Sequence, residues 1–487
     1  MVDVTSLEAR IGSALADWTI PGGAVTVVKD GETAIARGFG VRQVGTDAAV
    51  DAHTGFAIGS CTKSVTAVAL AILVDEGKLS WDDPIIRYLP DFALYDPWIT
   101  EHVTVRDALA HRIGQRRNIR IYLKGDAPKT EIVHRMRYMQ PQNDFRADFR
   151  YGNTQYTLAG QLVEAVSGQT WADFVRERIF APLRMTESYT SYARMCAGTD
   201  NYTAPHAVIA GDALLDAGLM RGEQGVVAWQ DIGDESAGSV ITSAADMAGW
   251  LRMLLNEGAP ILSAETLRAM HHPQIAPLNY AASEFAPFAL LNAPTHFYAY
   301  GLGFYLFDYR GHKTVVGGGQ IQGMNAVFAT VPALRLGVSV MVNTNATFAH
   351  FGVLLTIFDA YMVASDRDWN RDFLGLADGI HQQTAAQMQG MIDARQADIP
   401  PALPLDAYAG VYHSDLNGDM TISVKDGGLH LYYGPGYSGT LAHWQGDSFA
   451  LHLLPPLARE TDLVTFQIEA GAAVAFTFMD GTRQTKK

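Results

Sequence analysis

Ser60 and Lys63 stand three residues apart at the mouth of a stretch, Ser64 to Asp75, that is apolar nearly all round. On a helix this spacing puts both side chains on one face, within reach of each other. The hydroxyl also lies near the helix N-terminus, where partial positive charge stabilises a developing anion. A serine attacks a carbonyl carbon only when a neighbour takes its proton, and a desolvated lysine can do so. Its pKa must then fall from ~10.4 to about 7–8, which asks burial for roughly 3–4 kcal/mol. The plainer alternative is a Ser N-cap followed by a surface Lys. Against it, only 9 of the 36 basic residues are Lys, and no other Ser-x-x-Lys occurs in the chain. The pair is therefore expected to be catalytic.

Tyr151-Gly152-Asn153 is the second constellation. A tyrosine near a Ser–Lys pair can relay protons, and an amide two residues on can bind a substrate carbonyl; alone, the tripeptide reads as packing before a helix (Leu158 to Val166). Gly317-Gly318-Gly319-Gln320-Ile321-Gln322-Gly323 follows a strand expected at Lys313–Val316. It lacks the Lys-Ser/Thr of a phosphate loop and opens no helix. It reads equally as an edge that a substrate backbone approaches closely or as a bulge or bend. There is no Gly-x-Ser-x-Gly elbow and no His-Glu-x-x-His, and the scattered histidines, His271-His272 among them, lack metal-ligand spacing. No metal or cofactor is expected, and Cys61 reads as a small packed hydrophobe.

The elements that must position these groups follow from periodicity. An amphipathic helix over 7–17 precedes a hairpin, Ala24–Val28 and Thr33–Gly38, turning at Asp30-Gly31. Gly77 stops the apolar helix in the manner of a C-cap. Residues from about 80 to 260 are mostly helical, with Ser243 capping Ala244–Leu255. Strands return at Tyr300–Asp308, Lys313–Val316, Met324–Val331 and Leu336–Asn343, before a helix over 351–362. Hairpins at both ends with helices between predict an α+β fold, one antiparallel sheet flanked by helices with a helical insertion. We expect that body over 1–365, a linker with some helix over 366–403, and seven or eight short alternating strands over 404–487 forming a small antiparallel β-barrel.

Composition sets the outer bounds. The 487 residues are 48% hydrophobic and 18% charged, ample for packed cores and unlike a disordered chain. A net charge of −15 with no basic run beyond Arg116-Arg117 argues against nucleic-acid partners. The two cysteines, Cys61 and Cys196, make no disulfide framework. The longest apolar stretch, Ala67 to Val74, is far short of the ~20 residues of a membrane span. The N-terminus shows no basic and then apolar leader. A soluble, cytoplasmic protein without a membrane partner is expected.

Ile58-Gly59-Ser60-Cys61-Thr62-Lys63, Gly77-Lys78-Leu79-Ser80-Trp81-Asp82-Asp83-Pro84, Thr104 to Arg112, Phe149-Arg150-Tyr151-Gly152-Asn153 and Phe180-Ala181-Pro182-Leu183 together resemble the serine β-lactamase-like, penicillin-binding-protein-related hydrolases. These include class C β-lactamases, D-aminopeptidases, D-amino-acid amidases and related esterases. The likeness covers about residues 10–360, and 404–487 resembles the lipocalin-like domain some members append. The resemblance implies an acyl-enzyme: attack by Ser60, proton transfer by Lys63 and Tyr151, and amide binding by Asn153. It also implies an oxyanion hole from the backbone N–H groups of Ser60 and Gln320. The family's third motif, Lys-Thr-Gly or His-x-Gly, aligns with Gly317-Gly318-Gly319, so Gly319 is kept and the cation is not. Carboxylate recognition is then in question unless His312, an arginine or another histidine enters. Arg112-Ile113-Gly114 also departs from the usual Ser-Gly.

The sequence thus predicts a serine amidohydrolase or peptidase on small peptides or amides, with D-residues and acyl transfer to an amine left open. A carboxylesterase is the second enzyme reading, and a catalytically weak binding or assembly protein the third. Homo-oligomerisation is open. The basic insertion over 112–148 (Arg116, Arg117, Arg120, Lys124, Arg135, Arg137) reads either as recognition of an anionic substrate group or as a solvated helix face.

Overall fold

The computed structural model describes residues 2–115, 120–209, 220–229, 235–277, 286–345, 347–362, 365, 367–454 and 461–487. Its centre is a seven-stranded antiparallel sheet with the strand order Glu32–Gly40, Gly22–Lys29, Leu336–Val342, Met324–Val331, His312–Ile321, Tyr305–Tyr309, Tyr298–Tyr300. N-terminal and C-terminal parts of the body meet in register, Val25 opposite Val340 and Thr26 opposite Ser339.

Side chains alternate between two faces, as period-2 strands require. Val25, Val316, Val327 and Val340 pack under the opening helix Val4–Asp17 and the helix Ala349–Met362. Ala24, Val315, Ala326, Phe328 and Met341 face the other way, onto the helical layer. The nucleophile helix Thr62–Asp75 runs through that layer with every residue from Thr62 to Leu73 buried, as its lack of a polar face demands. Because residues 315, 317 and 319 share a face, both Gly317 and Gly319 turn toward this helical side.

Three elements differ from expectation. The strand predicted over 300–308 is two, Tyr298–Tyr300 and Tyr305–Tyr309, folded back at Gly301–Phe304, where Gly303 presses on Ala67 of the nucleophile helix. The strand predicted to end at Val316 runs to Ile321, paired without a bulge through Gly317↔Phe328, Gly318↔Val327 and Gly319↔Ala326. The stretch read as linker contains a 25-residue helix, Trp369–Asp393, whose first turns bury Trp369, Phe373 and Ala377 against the body.

The C-terminal strands close an eight-stranded antiparallel barrel. Seven were legible from alternation; the eighth, Arg483–Lys486, is polar in sequence and is held by pairing with Ala475–Thr477 and Tyr412–His413. Among the described residues no helix is long and apolar enough to cross a membrane.

Candidate active site

The nucleophile turn Gly59–Cys61 leads directly into the buried helix. Ser60 is half-buried, and Lys63, one helical turn on, is 2% exposed. Lys63 Nζ lies 2.9 Å from Ser60 Oγ, 2.9 Å from Asn153 Oδ1 and 2.8 Å from the Ala237 carbonyl oxygen. The Tyr151 ring centroid is 4.9 Å from the same nitrogen. Asn153 is the first residue of the helix Asn153–Ser167, with Gly152 extended before it. Residues 90 apart in sequence therefore converge on one lysine nitrogen. Ala237, whose contribution is a backbone oxygen, carries no sequence signal.

On the other side of Ser60 the glycine strand closes in. The strand Tyr305–Tyr309 pairs only as far as Val316, and the nucleophile turn seats on the edge beyond. A Cβ on Gly319 would fall inside the Ile58 carbonyl oxygen and 2.7–2.8 Å from the amide nitrogens of Cys61 and Ser60. A Cβ on Gly59, itself at φ 49°, would come within 2.7–2.8 Å of the Gln320 backbone. Gln320 is exposed, and its side-chain amide donates to Asn345 Oδ1 at 3.3 Å. Two backbones touching without side chains between them put the amides of Ser60 and Gln320 beside one cleft. Gly319→Ala is expected to displace the turn and lower kcat/KM ~100-fold; steady-state kinetics beside a thermal melt checks this.

Gly317 is two residues further from the nucleophile, and a Cβ there would run into the Phe328 ring. That ring is 1% exposed and packs edge-on to Trp250 and Phe304. The space in which the third-motif cation would begin is thus filled from the neighbouring strand. His312 does not replace it, sitting opposite Tyr309 at the far end of the strand. Arg112 is held on the buried carboxylate of Asp107, together with Arg146. Burial pushes the Asp107 carboxyl up, but hydrogen bonds from Arg146 and Thr104 outweigh it and hold it below the usual range.

His111 was not singled out from sequence, and the structure puts it against Tyr151. It is fully buried, with ring centroids 4.6 Å from Tyr151, 5.1 Å from Tyr156 and 5.2 Å from Tyr300. Its carbonyl accepts from Arg150 N–H at 2.7 Å and its Nδ1 from Gly152 N–H at 3.3 Å, so it pins the chain on both sides of Tyr151. Burial, aided by the charge of Lys63, pushes the imidazole well below 6.5. With Nδ1 accepting, the ring proton is on Nε2, which is buried without a hydrogen-bond partner among the described residues.

Over its described part the basic insertion has its charges paired, Arg120 in a buried contact and the others partly exposed. Arg120 pairs with Asp462 and Asp480 at one end of the barrel, Lys124 pairs with Asp126, Arg135 pairs with Glu131, and Arg137 donates to the Asp91 carbonyl. Arg116 and Arg117 lie outside the described residues.

Comparison with known proteins bears on the family and the fold. The Beta-lactamase family model matches residues 7–360, and one described as a Domain of unknown function (DUF3471) matches residues 394–486. Unguisins hydrolase ungD of Aspergillus violaceofuscus is 28% identical over 477 residues, which cover 91% of this chain and 82% of the relative. Penicillin-binding protein 4 of Amycolatopsis lactamdurans is 30% identical over 184 residues, 38% of this chain and 48% of that one. Among solved structures, the octameric penicillin-binding protein homologue from Pyrococcus abyssi superposes with a TM-score of 0.63 at 21% identity, covering 100% of both chains. The D-amino acid amidase from Ochrobactrum anthropi superposes at 0.56 and 22% identity, over 73% of this chain and 97% of that one. At those identities the structural likeness is one of fold. The match over most of the chain, on the same body that carries Ser60 and Lys63, places this protein in the Beta-lactamase family of penicillin-binding-protein-like serine hydrolases, with an eight-stranded barrel appended.

Proposed function

We propose that the protein hydrolyses amide bonds of small peptides or amides through an ester of Ser60. The observation that carries this reading is the set of neighbours around Lys63 Nζ. A neutral amine has two N–H bonds and one lone pair. The carbonyl oxygens of Asn153 and Ala237 can only accept, at 2.9 and 2.8 Å, so they take both N–H bonds. The lone pair is then left for the Ser60 hydroxyl at 2.9 Å.

The steps follow. Ser60 Oγ bonds to the substrate carbonyl carbon while its proton passes to Lys63 Nζ. The oxyanion is received by the Ser60 and Gln320 amides; removing one such donor typically costs ~10²–10³ in rate. The C–N bond breaks as the leaving nitrogen takes the proton from Lys63, directly or through Tyr151. Water then adds to the ester with Tyr151 and Lys63 accepting its proton, and Ser60 leaves with that proton restored. An amine in place of water gives acyl transfer by the same route. The division into a hydrolase body over 1–365, a connecting stretch over 366–403 and a barrel over 404–487 belongs to this reading, as does homo-oligomerisation, which the octameric description of the archaeal homologue supports.

The substrate class follows from Gly317. With Phe328 filling the space beside it, substrates bearing a carboxylate next to the scissile bond lose their cationic partner, which favours neutral amides, and peptides of D- or L-residues blocked at that end. The same observation favours a carboxylesterase as the second reading. Matched p-nitroanilides and p-nitrophenyl esters, each as free carboxylate and carboxamide and in both stereochemical series, separate the two. The account expects the carboxamide of each pair to be turned over at least ~10-fold faster, with anilides hydrolysed. Turnover of esters alone moves the assignment to esterase, and preference for the carboxylate overturns the substrate class.

A further inference from the structure

The appended barrel leaves a question that the reaction does not answer. Its interior is packed by its own rings: Tyr408 and Phe466 centroids lie 4.9 Å apart, Tyr412 and Phe476 4.9 Å, Phe449 and Phe466 5.7 Å, all at 4% exposure or less. A barrel filled in this way acts through its outside. One end, formed by the start of the strand Tyr437–Gln445, the start of Thr461–Glu469 and the turn after Ala472–Phe478, meets the short helix Arg120–Leu123 of the body.

The contact is specific. The Arg120 guanidinium donates to Asp480 Oδ2 and to Asp462 Oδ2, both at 2.6 Å, and lies 3.8 Å from the Phe478 ring centroid. Its side chain is 8% exposed. The loop Gly434-Pro435-Gly436 closes over the same helix, with Gly436 N–H donating to the Lys124 carbonyl at 3.0 Å. Leu123 joins the barrel's own apolar cluster.

Two residues along a helix is about 200° around it, so Tyr122 faces away from Arg120. It faces the catalytic helix: Tyr122 OH and Thr157 Oγ1 are 2.7 Å apart, and Thr157 Oγ1 donates to the Asn153 carbonyl at 3.3 Å. With the threonine proton on the Asn153 carbonyl, the Tyr122 hydroxyl is placed to donate to Thr157. Asn153 Oδ1 is the acceptor that holds Lys63. Two hydrogen-bonded segments, from the barrel aspartates to Arg120 and from Tyr122 through Thr157 to the Asn153 backbone, are thus joined by the backbone of the helix Arg120–Leu123, and the side chain of the same Asn153 holds the catalytic lysine.

We propose that the barrel is a positioning domain for the Lys63–Asn153 pair, acting through Arg120 as its clamp and Tyr122 as its strut. The inference rests on the hydrolase reading and adds to it a role for a domain that touches no reacting atom. Arg120, Tyr122 and Asp480 are positioning residues, and disturbing any of them changes how the lysine lone pair is aimed at Ser60.

The test is the rate of acylation by a fluorophosphonate probe across pH, in the full-length protein, for Tyr122→Phe, Asp480→Asn, Arg120→Ala and the Arg120→Ala/Tyr122→Phe pair, with intact mass confirming the site. Each single variant is expected to slow labelling ~5–50-fold and to move the midpoint of its pH profile. The pair should be no slower than the worse single, because both act in one chain of contacts. Should Arg120→Ala not fold, Tyr122→Phe and Asp480→Asn carry the test, the first removing a hydroxyl and the second a negative charge. A labelled parent with variants of unchanged rate and profile overturns this inference alone. An unlabelled parent overturns the hydrolase reading and this inference with it.

Discussion

Exchanging Lys63 for methionine is expected to lower kcat for amide turnover by ~10²–10⁴, the range a positioned general base supplies. Methionine matches the length of the lysine stem and leaves the burial of the helix mouth intact. It removes both N–H bonds that the Asn153 and Ala237 carbonyls accept and the lone pair that faces Ser60. The melting temperature should fall modestly, because the apolar stem is kept while the Asn153 and Ala237 carbonyls lose their donor. Ser60→Ala removes the nucleophile itself, and turnover should fall by ~10⁶ if the ester is obligatory. Single-turnover kinetics on an activated amide, read beside thermal melts of both variants, checks the pair. A Lys63→Met variant within a factor of a few of the parent would show that the proton goes elsewhere.

The second large effect is on stability in acid. Burial pushes the imidazoles of His271 and His350 down to about 3, and burial with the nearby Lys63 pushes that of His111 well below 6.5. In the unfolded chain all three titrate near ~6.5. Below that pH the unfolded chain binds three protons that the folded one refuses, so their contribution is whole above pH ~6.5 and is lost as the pH falls, at up to ~1.4 kcal/mol per unit for each. Asp246 works the other way. Burial pushes its carboxyl up to about 6, so between about 4 and 6 the folded state holds one proton more than the unfolded. With His206, which burial also lowers, the imidazoles outnumber the one carboxyl, so the unfolded chain binds more protons than the folded one as the pH falls through that window, a cost on the order of a few kcal/mol against ~5–15 kcal/mol for an ordinary domain. Denaturant midpoints should therefore fall steeply from pH 6.5 to 5. His350→Phe, at a site where the ring lies tilted against Phe351 with centroids 4.0 Å apart, should flatten the slope. A midpoint independent of pH over that range would contradict the account of the buried imidazoles.

What the sequence disclosed of this site was the part that is local. Ser60 and Lys63 declare themselves because three residues on one buried helix suffice to bring them together, and the apolar run behind them says the helix is central. Asn153 and Tyr151 were legible only beside Ser60 and Lys63 and then through the resemblance, since a tyrosine before a helix is ordinary packing by itself. The glycine run was ambiguous for a physical reason. A bulge and a regular strand with close neighbours use the same residues, and only the pairing of Gly317 with Phe328 and the seat of Gly319 on the nucleophile turn decide between them. Phe328, His111 and Arg120 were missed because their importance lies in what crosses to them: a facing strand, a tyrosine loop 40 residues on, and a barrel more than 300 residues away. The barrel itself was read from alternation, except where Arg483–Lys486 carries its inward position on Gln484, which no hydrophobic pattern marks.

The central claim is that Ser60 forms a covalent acyl bond. Intact mass after incubation with a fluorophosphonate, for the parent and for Ser60→Ala, tests it most directly. The account predicts one adduct per chain on the parent and none on the variant at the same probe concentration. An adduct that survives in Ser60→Ala, or a folded parent that takes none at high probe concentration, would contradict it.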